Sequence, residues 1–131
     1  MPTLSDRSLE NLSLVDIRLR GVIEQAIEVV DFSVLEGHRG PDRQDEMFRT
    51  GQSKLQWPDS KHNSLPSLAV DLAPYPIDWE DTERFVFLAG VVFTIAIQNG
   101  IDLRWGGDWD GDGFMSDETF RDYVHFELLE G

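Results

Sequence analysis

The chain has 131 residues, 40% of them hydrophobic, and carries 25 acidic against 11 basic side chains for a net charge of -14. That length and apolar share suit a single domain with one core and exclude a disordered chain. The acidity argues against nucleic acid or an anionic membrane surface as partner, since both need a basic face.

Cysteine is absent, which rules out disulfides and thiolate zinc sites. The stretch Met1-Pro2-Thr3-Leu4-Ser5-Asp6 lacks the basic patch and apolar run of a signal peptide. The most apolar window, 85–97, is too short to insert into a membrane. A chain made in the cytoplasm and acting as a monomer is expected.

Residues 5–30 read as one helix. Leu9, Leu12, Val15, Leu19, Val22, Ile23, Ala26, Ile27 and Val30 recur at three- and four-residue steps, with Ser5 or Ser8 as cap. Phe32-Ser33-Val34-Leu35-Glu36 reads as a strand, and Gly37-His38-Arg39-Gly40 as a turn. Pro41 opens a second helix that should end near Gly51. A polar loop follows over 52–66, then a strand over 68–73 that Pro74 ends. Asp78 is the expected cap of a third helix, which Asn99-Gly100 stops. Residues 101–105 and 123–128 read as the last two strands, with a loop over 106–118 between them. The alternation in the final strand puts His125 and Glu127 on one face and Val124, Phe126 and Leu128 on the other. The expected fold class is α+β: a small, largely antiparallel sheet packed with about three helices.

Asp71 lies in the apolar run Leu68-Ala69-Val70-Asp71-Leu72-Ala73, nine residues after His62. A carboxylate buried in such a run needs a partner or a cation. A catalytic zinc centre takes three N or O ligands and keeps one position open. His62, Asp71 and His125 form one such set; His38, His62 and His125 form another, and spacing does not choose between them. Asp122, three residues before His125, is placed to exchange a proton with a metal-activated water or to be one more surface acid. Trp105, Trp109 and Phe114 are candidates for a groove floor or for core and loop anchors.

Ser60-x-His62, Ala69-Val70-Asp71 and Asp122-x-x-His125-x-Glu127 together resemble the zinc peptidases that cleave peptidoglycan stem peptides. That family includes D-alanyl-D-alanine peptidases, vancomycin-resistance dipeptidases and phage L-alanyl-D-glutamate endolysins. Asp71-Leu72-Ala73-Pro74-Tyr75, Ile77-Asp78-Trp79 and Leu103-Arg104-Trp105-Gly106-Gly107-Asp108-Trp109 are similar to the phage branch, and the likeness covers nearly the whole chain. The resemblance implies zinc on His62, Asp71 and His125, Asp122 as general base and acid, and Arg39 on a substrate oxygen. It implies a zinc-peptidase fold, hydrolysis of the L-Ala–D-Glu bond, and action on the cell wall after release, with no separate wall-binding domain. One departure stands out. The family's step from histidine to aspartate is shorter and contains a glycine; here Leu65-Pro66 stands in its place.

Asp108-x-Asp110-x-Asp112-Gly113 opens like a calcium loop, with oxygens at alternate positions and a glycine sixth. Thr119 occupies the place of the closing glutamate, although Asp117 and Glu118 are near. A calcium-binding loop outside a true EF-hand is expected, ordering the segment that carries Asp122 and His125. Two other functions stay open: a D,D-carboxypeptidase or dipeptidase of the same family, and a non-catalytic calcium-binding module.

Overall fold

The computed structural model describes residues 2–113 and 122–129. Its elements are α1 (Asp6–Leu12), α2 (Ile17–Ala26), β1 (Phe32–Glu36), α3 (Pro41–Arg49), a 3-10 turn (Lys61–Asn63), β2 (Ala69–Pro74), α4 (Thr82–Gln98), β3 (Leu103–Gly106) and β4 (Asp122–Leu128). The four strands form one antiparallel sheet in the order β1-β2-β4-β3. This is the α+β architecture expected.

The single helix expected over 5–30 is two. Leu14, Val15 and Asp16 leave the helical path to pair with Ser67, whose amide donates to the Leu14 carbonyl at 2.8 Å and whose carbonyl accepts from Asp16 at 2.9 Å. Asp16 then caps α2, accepting from the Arg18 amide at 2.9 Å. The apolar stripe survives the break because Leu12, Val15, Leu19, Val22 and Ile23 are all buried in the same core. A tertiary pairing therefore overrides local periodicity here.

The other displaced start is that of α4. Asp78 does not cap it; its side chain accepts from the Glu80 amide at 3.1 Å and closes a local turn. The helix begins at Thr82, with Asp81 at the cap position. A short acidic side chain can accept from the amide two residues on and close such a turn before the helix begins.

α2 and α4 pack against each other and cover one face of the sheet, burying Val70, Leu72, Phe126 and Leu128 between them. β2 is buried along its whole length. Because side chains alternate along a strand, the neighbours of those core positions point to the opposite face. On β2 that residue is Asp71; on β4 they are His125 and Glu127. The alternation sends the acids and the histidine to the face opposite α4, where residues of α1 and α3 wall the cleft around them.

Two glycines are fixed by close approach. A side chain at Gly37 would meet the Asn11 carbonyl of α1 at 2.2 Å. One at Gly106 would meet the Asp122 carbonyl, across the β3–β4 ladder, at 2.0 Å.

Candidate metal centre

Asp71 and His125 are direct partners in the β2–β4 register, so the sheet alone brings them together. His62 arrives from the 3-10 turn. Ser60 caps that turn, accepting from the His62 amide at 3.2 Å, while Asn63 accepts from the Ser60 amide at 3.1 Å. The turn is tied to β1's end where the Arg39 amide donates to the His62 carbonyl at 2.8 Å. The added length between His62 and Asp71 is taken up by Ser64, Leu65 and Pro66, which stand exposed, before Ser67 re-enters the interior.

Three donor atoms converge. His62 Nε2 lies 3.1 Å from Asp71 Oδ1 and 3.2 Å from His125 Nδ1, and His125 Nδ1 lies 3.4 Å from Asp71 Oδ1. The outer nitrogens fix the tautomers. His62 Nδ1 donates to the Gly37 carbonyl at 2.7 Å, and His125 Nε2 donates to Glu127 Oε1 at 2.7 Å. A carbonyl and a carboxylate can only accept, so in the neutral rings both inner nitrogens present lone pairs, toward each other and toward a carboxylate. Only a positive charge satisfies that set.

The electrostatics agree. Burial opposes a charged His125, but its hydrogen bonds to Asp71 and Glu127 outweigh burial and push its pKa up to about 9. Burial likewise opposes the Asp71 carboxylate, yet the two histidines hold it well below the usual carboxylate range. Without a metal, a proton takes the central place, and a divalent cation would have to displace it. The residues present thus fit a metal ion, through His62 Nε2, Asp71 Oδ1 and His125 Nδ1.

The ligands are braced from behind. Glu127 receives His125 on one oxygen and Arg104 on the other at 2.8 Å, with Lys61 3.5 Å away. Burial raises its pKa, but the His125 hydrogen bond and Arg104 bring it down to about 2. A charged acceptor on the outer nitrogen orients a ligating imidazole and strengthens it as a donor. Glu127→Gln is therefore expected to weaken metal affinity by about 10–100-fold, read by chelator competition; unchanged affinity would show that the carboxylate charge is not needed.

Arg39 sits beneath the centre rather than in the open. It is 4% exposed and donates to Gln44 at 2.9 Å, Glu36 at 2.8 Å and Asp71 Oδ2 at 3.5 Å. It thereby occupies the Asp71 oxygen that does not face the histidines. Gln44, fully buried, accepts from Arg39 and Asn63 and donates to Ser53 and to the Leu55 carbonyl. Gln44 and Glu127 support the site without having been singled out as functional from the sequence. The strand alternation did place Glu127 on the His125 face; nothing in the polar helix around Gln44 marks it as buried.

Asp122 lines the same cleft at the start of β4. Burial, and then the negative charge of Asp71, push its pKa up, with the histidines and Arg39 pulling the other way. His38 also lines the cleft, but it is not among the converging donors. Trp105 is core, its Nε1 donating to the Tyr123 carbonyl at 2.8 Å. Trp109 is at the cleft, its ring 5.4 Å from that of His125 and 5.3 Å from the Arg104 guanidinium carbon. Phe114 lies outside the described residues. Asp108, Asp110 and Asp112 bring one oxygen each within 4.8 Å of one another; Asp117 and Glu118 lie outside the described residues.

Two histidines and a carboxylate around one point, on the floor of an open cleft of about 1150 Å³, are the arrangement of a mononuclear metal centre with room for a polymeric substrate. Comparison with known proteins narrows this. The family model for phage L-alanyl-D-glutamate peptidases matches residues 2–129, and the chain belongs to that family. It is 33% identical to the L-alanyl-D-glutamate peptidase of Escherichia phage T5 over 130 residues, covering 93% of this chain and 94% of that one. Its fold superposes on the crystal structure of the Serratia marcescens L-Ala D-Glu endopeptidase ChiX with a TM-score of 0.78 and 36% identity, covering 96% of this chain and 90% of the other.

Proposed function

We propose that the protein is a zinc-dependent endopeptidase that hydrolyses the L-Ala–D-Glu bond of peptidoglycan stem peptides and serves a phage as an endolysin. The convergence of two imidazole lone pairs and a carboxylate at the cleft floor carries this reading. An all-N/O donor set of that kind suits zinc in a hydrolase. Zinc, when bound, supplies Lewis-acid polarisation of the scissile carbonyl and a water acidic enough to ionise near neutral pH.

The chain's residues do the rest. His62, Asp71 and His125 hold the ion, and Glu127 and Arg39 hold two of those ligands in place. Asp122 accepts the proton of the attacking water and returns it to the leaving amine nitrogen. Its raised pKa suits the second half of that task, because the protonated form persists to higher pH. Arg39 adds positive charge beneath the site where the oxyanion develops.

Digestion of purified muropeptides followed by mass analysis tests the bond. A new amino-terminal D-Glu is expected; loss of terminal D-Ala instead would assign the D,D-carboxypeptidase alternative. Chelation of zinc should abolish the digest and zinc addition restore it. A metal-insensitive digest would refute the metal assignment.

We infer further that Asp108, Asp110 and Asp112 bind calcium. Burial and the neighbouring carboxylates push the Asp108 pKa up, against the Gly113 amide, and among the described residues its Oδ1 has no hydrogen-bond partner. Gly111 and Gly113 take positive φ values of 69° and 85°, a tight turn that brings the three acids toward one another. EGTA at retained zinc should lower activity; full activity there would remove calcium from the mechanism.

A further inference from the structure

The charge of the cleft departs from that of the molecule. The chain has 25 acidic and 11 basic residues. Among the described residues the cleft is lined by six carboxylates and by Arg7, Arg39, Arg43, Lys54, Lys61 and Arg104. Three of those carboxylates are neutralised from within. Arg104 and Lys61 hold Glu127, and Arg39 holds Glu36 and Asp71. A balanced cleft on a strongly negative surface is the place where an anionic ligand is repelled least, and single cationic groups within it can pair with one.

The proposed substrate supplies an anion beside the scissile bond. A glutamyl residue acylated on its nitrogen has two carboxyl groups, and a linear chain continues through only one. The other remains as a carboxylate or a carboxamide, on the leaving-group side. We propose that Arg43 binds this free carboxylate of the D-glutamyl residue and so sets the specificity of the cleft. The inference rests on the activity proposed above.

Of the three cleft guanidiniums held in the ion-pair network around Asp71 and Glu127, Arg43 is the one placed to change partners. Arg39 is buried in three hydrogen bonds, and Arg104 is held by Glu127 beside Trp109. The Arg43 side chain is 48% exposed and holds Glu36 through Nε at 3.3 Å and Glu46 through Nη1 at 3.5 Å. Exposed pairs of this length contribute little to stability. Glu36 keeps its other oxygen on Arg39 at 2.8 Å and Glu46 is 55% exposed to solvent, so releasing Arg43 strands neither acid in the interior.

Position supports the role. Arg43 is joined to the metal ligand Asp71 through Glu36 and Arg39, one carboxylate and one guanidinium away. Its helix is fixed at that point by the next residue, Gln44, which is buried and hydrogen-bonded to Arg39, Asn63, Ser53 and Leu55. A planar guanidinium on a rigid helix, once released from Glu36 and Glu46, offers two parallel N–H groups that match a carboxylate.

Two synthetic stem peptides that differ only in this D-glutamyl group, carboxylate or carboxamide, give the test with the zinc-loaded protein. The wild type should favour the carboxylate by about tenfold in kcat/KM. Arg43→Gln should bring that ratio to about one, chiefly through KM, and Arg43→Lys should keep an intermediate ratio. No preference in the wild type, a preference that survives in Arg43→Gln, or an equal loss on both peptides would overturn the proposal. Equal loss would mark Arg43 as support for Glu36. If the wild type cleaves neither peptide, the proposed activity itself fails; if it cleaves both without preference, only the role of Arg43 does.

Discussion

Asp122→Asn is expected to lower kcat/KM on muropeptides by about 10²–10⁴-fold while one zinc per chain is retained. The two side chains have nearly the same shape, so the β4 backbone, paired with Gly106, is undisturbed. What disappears is the ability to take and return a proton. Metal content by elemental analysis separates this from loss of the ion, because the converging donors are His62, Asp71 and His125. Activity within a few-fold of wild type would show that another group moves the proton.

The second large effect is expected at Gly37, which touches no substrate in this scheme. Its carbonyl accepts from His62 Nδ1 at 2.7 Å and from Ser67 at 3.3 Å, while α1 packs against the place where a side chain would be. An added Cβ would come within 2.2 Å of the Asn11 carbonyl and 2.8 Å of the Val15 side chain. Backbone cannot yield as a flexible side chain does, so β1's end and α1 must separate. Gly37→Ala should therefore cost about 1–3 kcal/mol of stability and also weaken zinc binding, as His62 loses its fixed acceptor. Gly90→Ala is the control. It lies within α4 with nothing within 4 Å of an added Cβ, and it should be neutral or stabilising by up to about 1 kcal/mol. Thermal melts with and without zinc read both variants; a Gly37→Ala melt like wild type would deny the close approach.

Much of the fold was legible because its signals are local. The period-two alternation of β4 separates His125 and Glu127 from Phe126 and Leu128, and the paired strands keep that separation. The apolar face of α4 and its Asn99-Gly100 stop are likewise readable from a few turns of chain. The break between α1 and α2 was not legible, because Ser67, fifty-one residues after Asp16, causes it. Local periodicity carries no information about a partner so distant.

The site divides in the same way. Composition, the acid inside an apolar run and the family resemblance named His62, Asp71, His125 and Asp122 from sequence alone. Spacing left a rival set with His38 open and the resemblance chose His62, Asp71 and His125; how they meet took the β2–β4 register, which sets Asp71 opposite His125, and the capped turn that delivers His62. The tautomers, the commitment of Arg39 to Asp71, and the buried Gln44 that supports it also belong to tertiary structure. The physical reason is that residue type is written along the chain, whereas the direction of a lone pair depends on what the opposite side of the ring meets across the fold.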